Sequence, residues 1–275
     1  MQINNNSQLN QNTYLNANQA LNKISSAVDL NKASDNPAGL AIANDLIAQG
    51  NADTQAIENT NSAIAYTQIA DGATKEQSNI LDNVKEKLLQ ASTATTNQDG
   101  REAILKDVKA LLTQFNDIAS NTTYNEKNLL QNTSDDKSAT QTQQFQTGSE
   151  ENSLVELSGI QSNTQGLGLD GLLTQDEGTF DANTARGFLD TLDNASTKLG
   201  SIQSDIGSVQ NELQSANRNL ITQRNQTLEA NSVFDTDYAK EVSNFSKQNI
   251  LAQIGAYGVA QSTNITQQTV SRLLS

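Results

Sequence analysis

An unbroken pattern of apolar residues runs from Leu192 to Leu220 and constrains the fold more than any other feature of the chain. Steps of three and four residues alternate across four heptads, at Leu192, Ala195, Leu199, Ile202, Ile206, Val209, Leu213, Ala216 and Leu220. This spacing is typical of a coiled-coil seam. At about 1.5 Å per residue the seam is roughly 42 Å long, and such a narrow apolar line needs a partner helix to cover it.

The N-terminal half of the chain contains a helix with the same spacing. Pro37 is the only proline, and its position directly after Asn36 is typical of a first helical residue behind a side-chain cap. A long helix is therefore predicted from residue 37 to about residue 94. Its last turns repeat the three-four step, which predicts an intramolecular seam with the later helix. The residues assigned to this seam are Leu81, Val84, Leu88, Leu192, Leu199, Ile202, Ile206, Val209, Leu213 and Leu220.

Two more helices and a hairpin are predicted around this pair. One helix covers residues 101–120 behind a cap at Asp99, and the other follows a cap at Asp235. From about residue 133 to 180 the composition changes to Thr, Gln, Ser, Gly and acidic residues. Residues 140–147 and 154–160 are predicted to form a β-hairpin, with a turn at 166–169 leading back to helix. This middle region is predicted to be the solvated outer surface.

The two ends of the chain share an unusual composition. Residues 1–22 have no charged side chain, and no residue between Lys247 and Arg272 is charged. Both ends are expected to be disordered in a free monomer, because they offer little apolar area to offset chain entropy. Amide-rich faces avoid the cost of burying unpaired charge, so the ends are predicted to pair with each other and with other copies. The predicted inter-subunit contacts are Ile3, Leu9, Leu15, Leu21, Val242, Phe245, Ile250, Ile254, Val259, Ile265, Val270 and Leu273.

Composition narrows the function classes. With no Cys and no His, the chain lacks disulfides, thiolate or imidazole metal ligands and every triad that needs a histidine base. A net charge of −14 without a basic stripe argues against nucleic acid. No signal peptide or membrane span is visible. No enzyme, cofactor or metal is therefore predicted.

Hydrophobic residues make up 35% and aromatic residues 4% of the chain, which is normal for long helices with narrow seams. The predicted fold is mainly α, an elongated coiled-coil helical bundle of N- and C-terminal long helices with a small β-hairpin region in the middle. The predicted segments are an inner N-terminal one (1–36), the N-terminal bundle helices (37–132), the hairpin and outer surface (133–183), the C-terminal bundle helix (184–233) and an inner C-terminal helix (234–275).

Motifs near both ends resemble those of bacterial flagellins. The N-terminal match is the run from Asn31 to Ala43, Asn-Lys-Ala-Ser-Asp-Asn-Pro-Ala-Gly-Leu-Ala-Ile-Ala, followed by Tyr124-Asn125 and Asn128-Leu129-Leu130. The C-terminal match begins at Asp235-Thr236-Asp237-Tyr238-Ala239 and ends at Leu273-Leu274. The residues around Glu76–Leu81 and Gly100–Ile104 are most similar to flagellins of the Campylobacter and Helicobacter type.

The resemblance implies a structural subunit that self-assembles into the bacterial flagellar filament for swimming motility. In that family the terminal segments line a central channel and the middle of the chain faces outward. The resemblance also implies export through the flagellar secretion apparatus to an extracellular filament. The partners that it implies are other copies, an export chaperone, and cap and hook-junction proteins. It also implies O-linked sugars on middle-region Ser and Thr residues.

Four positions depart from the family pattern. Ala27 replaces a glycine and Asp29 reverses a charge, which affects the expected subunit contacts there. In the region that an innate immune receptor recognises in many flagellins, Asn83 and Lys87 replace an arginine and a leucine. Weak or absent activation of that receptor is therefore expected.

Two alternative functions stay open at this point. A hook-filament junction protein of the same superfamily shares the terminal helices, although the pattern over residues 235–264 fits it less well. A secreted coiled-coil adhesin comes from a different class, and the matching uncharged ends argue against it.

Overall fold

The computed structural model describes residues 2–34, 36–131 and 138–273, with side chains described for 11–34, 36–131, 138–257, 260 and 261. Its helices are α1 (Gln2–Ser26), α2 (Pro37–Ala91), α3 (Gln98–Asn121), α4 (Thr164–Leu167), α5 (Asp170–Thr174), α6 (Ala182–Ser232) and α7 (Tyr238–Leu273). The strands are β1 (Thr123–Tyr124), β2 (Lys127–Asn128), β3 (Gln143–Gln146) and β4 (Leu154–Leu157). The predicted fold class, mainly α with long terminal helices and a small hairpin region, is confirmed. The chain forms two compact units, residues 52–223 and residues 1–51 with 224–275.

Polar side chains fix where the long helices begin. Asn36 Oδ1 accepts a hydrogen bond from Gly39 N at 3.0 Å, and α2 starts at Pro37. The cap predicted at Asp99 is wrong, because α3 starts three residues earlier than expected and Asn97 Oδ1 accepts from Gly100 N at 2.9 Å. Asp99 lies instead in the first turn, where the positive end of the helix dipole stabilises its negative charge.

The cap predicted at Asp235 is also wrong. The backbone of Asp235 pairs with Val28 in an isolated antiparallel bridge, which keeps this residue outside the helix. Asp237 caps α7, since its Oδ1 accepts a hydrogen bond from Lys240 N at 3.1 Å. The cap was therefore predicted two residues too early in the sequence.

In the unit formed by residues 52–223, α2 and α6 run antiparallel. Lys85 near the end of α2 pairs with Asp193 near the start of α6 at 2.6 Å, and Asn217 Nδ2 donates to Asn61 Oδ1, also at 2.6 Å. The facing residues of both helices are buried along their length. Of the residues assigned to the seam, Ile202 is half-buried and the others are buried.

The seam of α2 changes character along the helix. Two heptad rows face α6 and the core, one at Asp53, Thr60, Thr67, Thr74, Leu81 and Leu88, the other at Ala56, Ala63, Ala70, Gln77, Val84 and Ala91, and all of them are buried. The half that precedes residue 78 is thus small or polar, and the half that follows is mostly Leu and Val. Each buried threonine hydroxyl donates to a carbonyl three or four residues earlier in the helix, so it needs no partner on another helix.

The middle region is more buried than predicted. Val155 and Leu157 on β4, Ile160 after it and Phe180 before α6 are each at most 4% exposed and belong to the hydrophobic core. The alternation along β4 places Val155 and Leu157 inside and Leu154 and Glu156 outside. The expectation of a wholly solvated surface is therefore wrong, because one face of the hairpin and the helices after it cover α2, α3 and α6.

The predicted hairpin pairs β3 with β4 in antiparallel register, with Phe145 opposite Val155. A second, shorter hairpin was not predicted. β1 pairs with β2, and the two residues between them, Asn125 and Glu126, both have positive φ (49° and 64°). Positive φ at both central residues is the geometry of a type I′ turn, which matches the twist of short hairpins.

In the unit formed by residues 1–51 and 224–275, α1 packs directly on α7. Cα atoms of the two helices come within 8 Å of each other. This close approach is possible because alanines lie between them, with Ala17, Ala20 and Ala252 each at most 7% exposed. Helical order at both ends differs from the disorder expected of the free chain.

Ala27, directly after α1, adopts a left-handed conformation with φ of 62°. This position commonly carries glycine, because a Cβ there costs roughly 1–2 kcal/mol. We expect Ala27→Gly to stabilise the junction by about 1 kcal/mol, after allowing for the greater entropy of glycine in the unfolded chain. Hydrogen exchange of the Asp29 and Thr236 amides, which donate to Phe234 O and Ala27 O, should slow about fivefold. Ala33→Gly is the control, since Ala33 has no positive φ, and equal slowing in both variants would contradict the strain at Ala27.

Candidate functional site

The paired helices α1 and α7 carry their large apolar side chains on the outside. Tyr14, Leu15 and Leu21 on α1 are 47–60% exposed, whereas the buried positions between the helices are alanines. On α7, Ile254 is 61% and Tyr257 78% exposed. Large exposed apolar patches on a folded protein mark interaction surfaces. We call the exposed apolar residues of these two helices the outer apolar face: Tyr14, Leu15, Leu21, Tyr238, Val242, Ile250, Leu251, Ile254 and Tyr257.

Six of the twelve predicted contact residues have described side chains, and five of these six lie on this face. The five are exposed, namely Leu15, Leu21, Val242, Ile250 and Ile254. Phe245 is half-buried. The side chains of the others lie outside the described residues: Ile3, Leu9, Val259, Ile265, Val270 and Leu273.

The junction after α1 accounts for the charge at Asp29. Lys23 Nζ lies 2.6 Å from Asp29 Oδ1, so the carboxylate has a partner within its own chain. Both side chains remain partly exposed, and ion pairs of this kind contribute about 0–1 kcal/mol. Backbone hydrogen bonds from Asp29 N to Phe234 O and from Thr236 N to Ala27 O tie the two strands of the junction together.

The receptor-region departures lie on the surface of α2. Asn83 is exposed, and Lys87 forms an ion pair with Asp107 of α3 at 2.6 Å. At the position where the family pattern has a leucine, this chain therefore has Lys87, whose charge is paired with a carboxylate of the neighbouring helix.

Sequence reasoning missed the polar residues of the α2 seam. Gln77 is fully buried, and its Nε2 donates to Phe115 O at 3.2 Å and Ser162 O at 2.8 Å, which joins α2 to α3 and to the segment after β4. Asp53 is 1% exposed, and its Oδ2 has no hydrogen-bond partner among the described residues. The sequence feature that could have revealed this row is the seven-residue spacing from Asp53 through Thr60 to Leu88. A search for apolar residues alone does not detect it.

Burial raises the pKa of the Asp53 carboxyl above its ordinary value. The folded state then binds a proton at Asp53 more tightly than the unfolded chain does. Its contribution to stability is complete below the ordinary aspartate pKa and is lost as pH rises through the raised value. At neutral pH this carboxylate therefore opposes folding unless a positive group approaches it.

Other kinds of site find little support in the described ranges. No group of three or more acidic residues there is arranged to hold a metal ion. Of the helices that the structure describes, none combines the length and apolarity of a membrane span.

Two family models match the chain, one at each end. The bacterial flagellin N-terminal helical region matches residues 1–135, and the bacterial flagellin C-terminal helical region matches residues 189–274. A flagellin of Halalkalibacterium halodurans is 30% identical over 259 residues, which cover 92% of this chain and 89% of the relative. The chain belongs to the bacterial flagellin family. As a flagellin it is a structural subunit of the bacterial flagellar filament and serves swimming motility.

Other similarities extend over part of a relative or concern the fold alone. Flagellin B of Helicobacter pylori is 37% identical over 136 residues, which are 50% of this chain and 25% of the relative. The crystal structure of Bacillus cereus flagellin shares the fold, with a TM-score of 0.51 and 24% identity over 59% of this chain and 88% of that one. A putative flagellar hook-associated protein from Vibrio parahaemolyticus has a TM-score of 0.59 at 10% identity, covering 73% of this chain and 99% of that one, which is a likeness of fold alone. The junction-protein and adhesin alternatives are not favoured.

Proposed function

We propose that copies of this flagellin assemble through the outer apolar face of α1 and α7. The observation that carries the proposal is the inverted arrangement of these helices, with alanines such as Ala20 inside and large side chains such as Ile254 outside. In a monomer this arrangement buries little apolar area, so the helix pair gains most of its buried apolar area when the subunits assemble. Each large side chain covered by a neighbour contributes about 1.5–3 kcal/mol.

The lack of charge on these helices favours the same role. α1 has no charged residue before Lys23, and α7 has none between Lys247 and Arg272. Contacts between subunits can therefore form without stranding an unpaired charge, which costs several kcal/mol when buried. A surface that meets a different surface of the next copy generates an open helical polymer when the rotation between copies does not close a ring. We assign the inner-segment roles to residues 1–36 and 234–275, bundle roles to 37–132 and 184–233, and the outward-facing role to 133–183.

Ile254→Asp is expected to raise the critical concentration for polymerisation at least 100-fold, because it places a charge at the centre of the proposed contact. Sedimentation and negative-stain electron microscopy of salted-out or seeded monomer measure the effect. Ile254→Leu, which keeps the site apolar, is the control and should polymerise like the parent chain. Normal filaments from Ile254→Asp, with unchanged helix content by circular dichroism, would contradict the proposed face.

The remaining partners are proposals from family membership. An export chaperone would cover α7 before secretion, and its exposed Ile250 and Tyr257 are suited to a hydrophobic groove. Cap and hook-junction proteins would meet the ends of the filament through the same terminal helices. Exposed Ser and Thr residues of the middle region, such as Ser149, would accept O-linked sugars once the subunit is extracellular. The family is structural, and we propose no catalytic activity.

We also propose a kinship with flagellins of the Helicobacter type. It is supported by the 37% identity to Helicobacter pylori flagellin B over 136 residues. The match to the Halalkalibacterium halodurans protein has lower identity but extends over 92% of the chain. The proposed kinship therefore concerns half of the chain. We also propose that Asn83 and Lys87 make activation of the innate immune receptor weak or absent.

A further inference from the structure

A groove of about 530 Å³ lies beside the turn of the β3–β4 hairpin, within the unit formed by residues 52–223. One wall is the hairpin turn from Thr147 to Val155 without Glu151, and the other is one face of α6 from Glu212 to Gln223. Asp53 of α2 also lines the groove. The described lining residues include three carboxylates, on Asp53, Glu150 and Glu212, and no lysine or arginine. Ser149, Asn152, Ser215 and Asn219 also line it, and each carries a side-chain oxygen.

The hairpin wall is held in place before any partner arrives. Gln146 Nε2 donates to Gly148 O at 2.8 Å and to Glu150 O at 2.7 Å, and Thr147 N donates to Ser153 O at 2.8 Å. A side chain on Gly148 would place a Cβ 2.7 Å from the Cβ of Ser153, so the turn requires glycine there. A rigid wall lowers the entropy cost of binding.

Asp53 provides the second reason to expect a ligand. Asp53 is 1% exposed, and its Oδ2 accepts no hydrogen bond among the described residues. An unpaired buried carboxylate is costly, and the cost is recovered when a positive group with N–H donors comes close. The exposed Glu150 and Glu212 add attraction at the mouth of the groove.

We infer that this groove receives a lysine or arginine side chain of a second copy of the chain during self-association, which rests on the proposed function. The volume fits an extended side chain with its water better than a compact metal ion, since a water occupies about 30 Å³. The carboxylates are not clustered as metal ligands in the described structure. Four exposed bases form neither an ion pair nor a side-chain hydrogen bond among the described residues and can supply the contact: Lys127, Arg218, Lys240 and Lys247.

The test measures the critical concentration of seeded polymerisation at low ionic strength. We expect the double variant Glu150→Gln, Glu212→Gln to raise it about tenfold, because two charge-assisted contacts are weakened without a change of shape. The matched control is Glu151→Gln, Asp205→Asn, which removes the same charge from the next turn residue and from α6 two turns earlier. Both control residues are exposed and neither lines the groove, so the control should stay within about twofold of the parent chain.

A double-mutant cycle identifies the donor. The bases are replaced one at a time by glutamine, and we expect one replacement to match the tenfold effect and to add nothing in the Glu150→Gln, Glu212→Gln background. Equal critical concentrations in the groove and control variants would overturn the inference and leave filament assembly intact. Micromolar binding of Ca²⁺ or Mg²⁺ to the monomer, lost in the groove variant, would overturn it in favour of a metal ion. A parent chain that forms no filaments would overturn the proposed function and this inference together.

Discussion

Leu199→Asp is expected to unfold the unit formed by residues 52–223. Leu199 is 1% exposed in the seam between α2 and α6 and belongs to the same core as Leu88 and Phe180. The substitution removes a large apolar side chain, worth about 2–5 kcal/mol on truncation alone, and adds an unpaired buried charge. Together these losses approach the 5–15 kcal/mol that stabilises a typical domain. Loss of helical circular dichroism at 25 °C and of cooperative melting is the expected result.

The control for this substitution is Ser201→Asp, which adds the same charge at an exposed position of the same helix. Its melting temperature should change little. Leu199→Ala provides a second variant that keeps the side chain neutral, and it should lower the free energy of unfolding by about 2–5 kcal/mol in urea. A Leu199→Asp protein with the helix content and melting temperature of Ser201→Asp would contradict the seam.

Deleting residues 1–30 is expected to abolish polymerisation completely. The deletion removes α1 and half of the junction at Val28 and Asp235, so α7 loses the helix on which it packs. Residues 52–223 form a compact unit of their own, and we expect this unit to keep its helix content and cooperative melting. Deleting residues 245–275 removes the other member of the pair and should have the same effect.

The reference for both deletions is a chain without residues 1 and 2, which leaves α1 almost intact. This chain should polymerise like the parent. Filaments of normal length from either large deletion would show that the outer apolar face is dispensable. Loss of the melting transition in the truncated chains would instead contradict the independence of the remaining unit.

The heptad pattern predicted the part of the fold that local periodicity controls. Leu192 to Leu220 and Leu81 to Leu88 lie where the three-four steps placed them, because a narrow apolar line on a long helix has only a few ways to be covered. The pattern said little about residues 53–77, where threonines and alanines occupy the same heptad positions. These residues are buried by packing against neighbouring elements. Because they are small or polar, an apolar pattern in the sequence does not indicate their burial.

The missed features depend on contacts between segments that are distant in sequence. Gln77 Nε2 donates to Phe115 O and Ser162 O, 38 and 85 residues away, and no local rule connects these positions. The groove beside Gly148 needs the hairpin turn, α6 and Asp53 together, so none of these stretches reveals it alone. The caps predicted at Asp99 and Asp235 were each two residues away from the actual ones, since several side chains near each helix start could accept the same backbone hydrogen bond.

The changing seam of α2 gives the bundle two ends of unequal strength. Around Leu81 and Leu88 the helices are held by large side chains in a continuous core, and opening them exposes much apolar surface to water. Around Thr60 and Thr67 the facing residues are small, and each hydroxyl is already bonded to its own helix. We expect separation of the helices to cost less there, so local opening should begin at the Thr60 end before it reaches the Leu88 end.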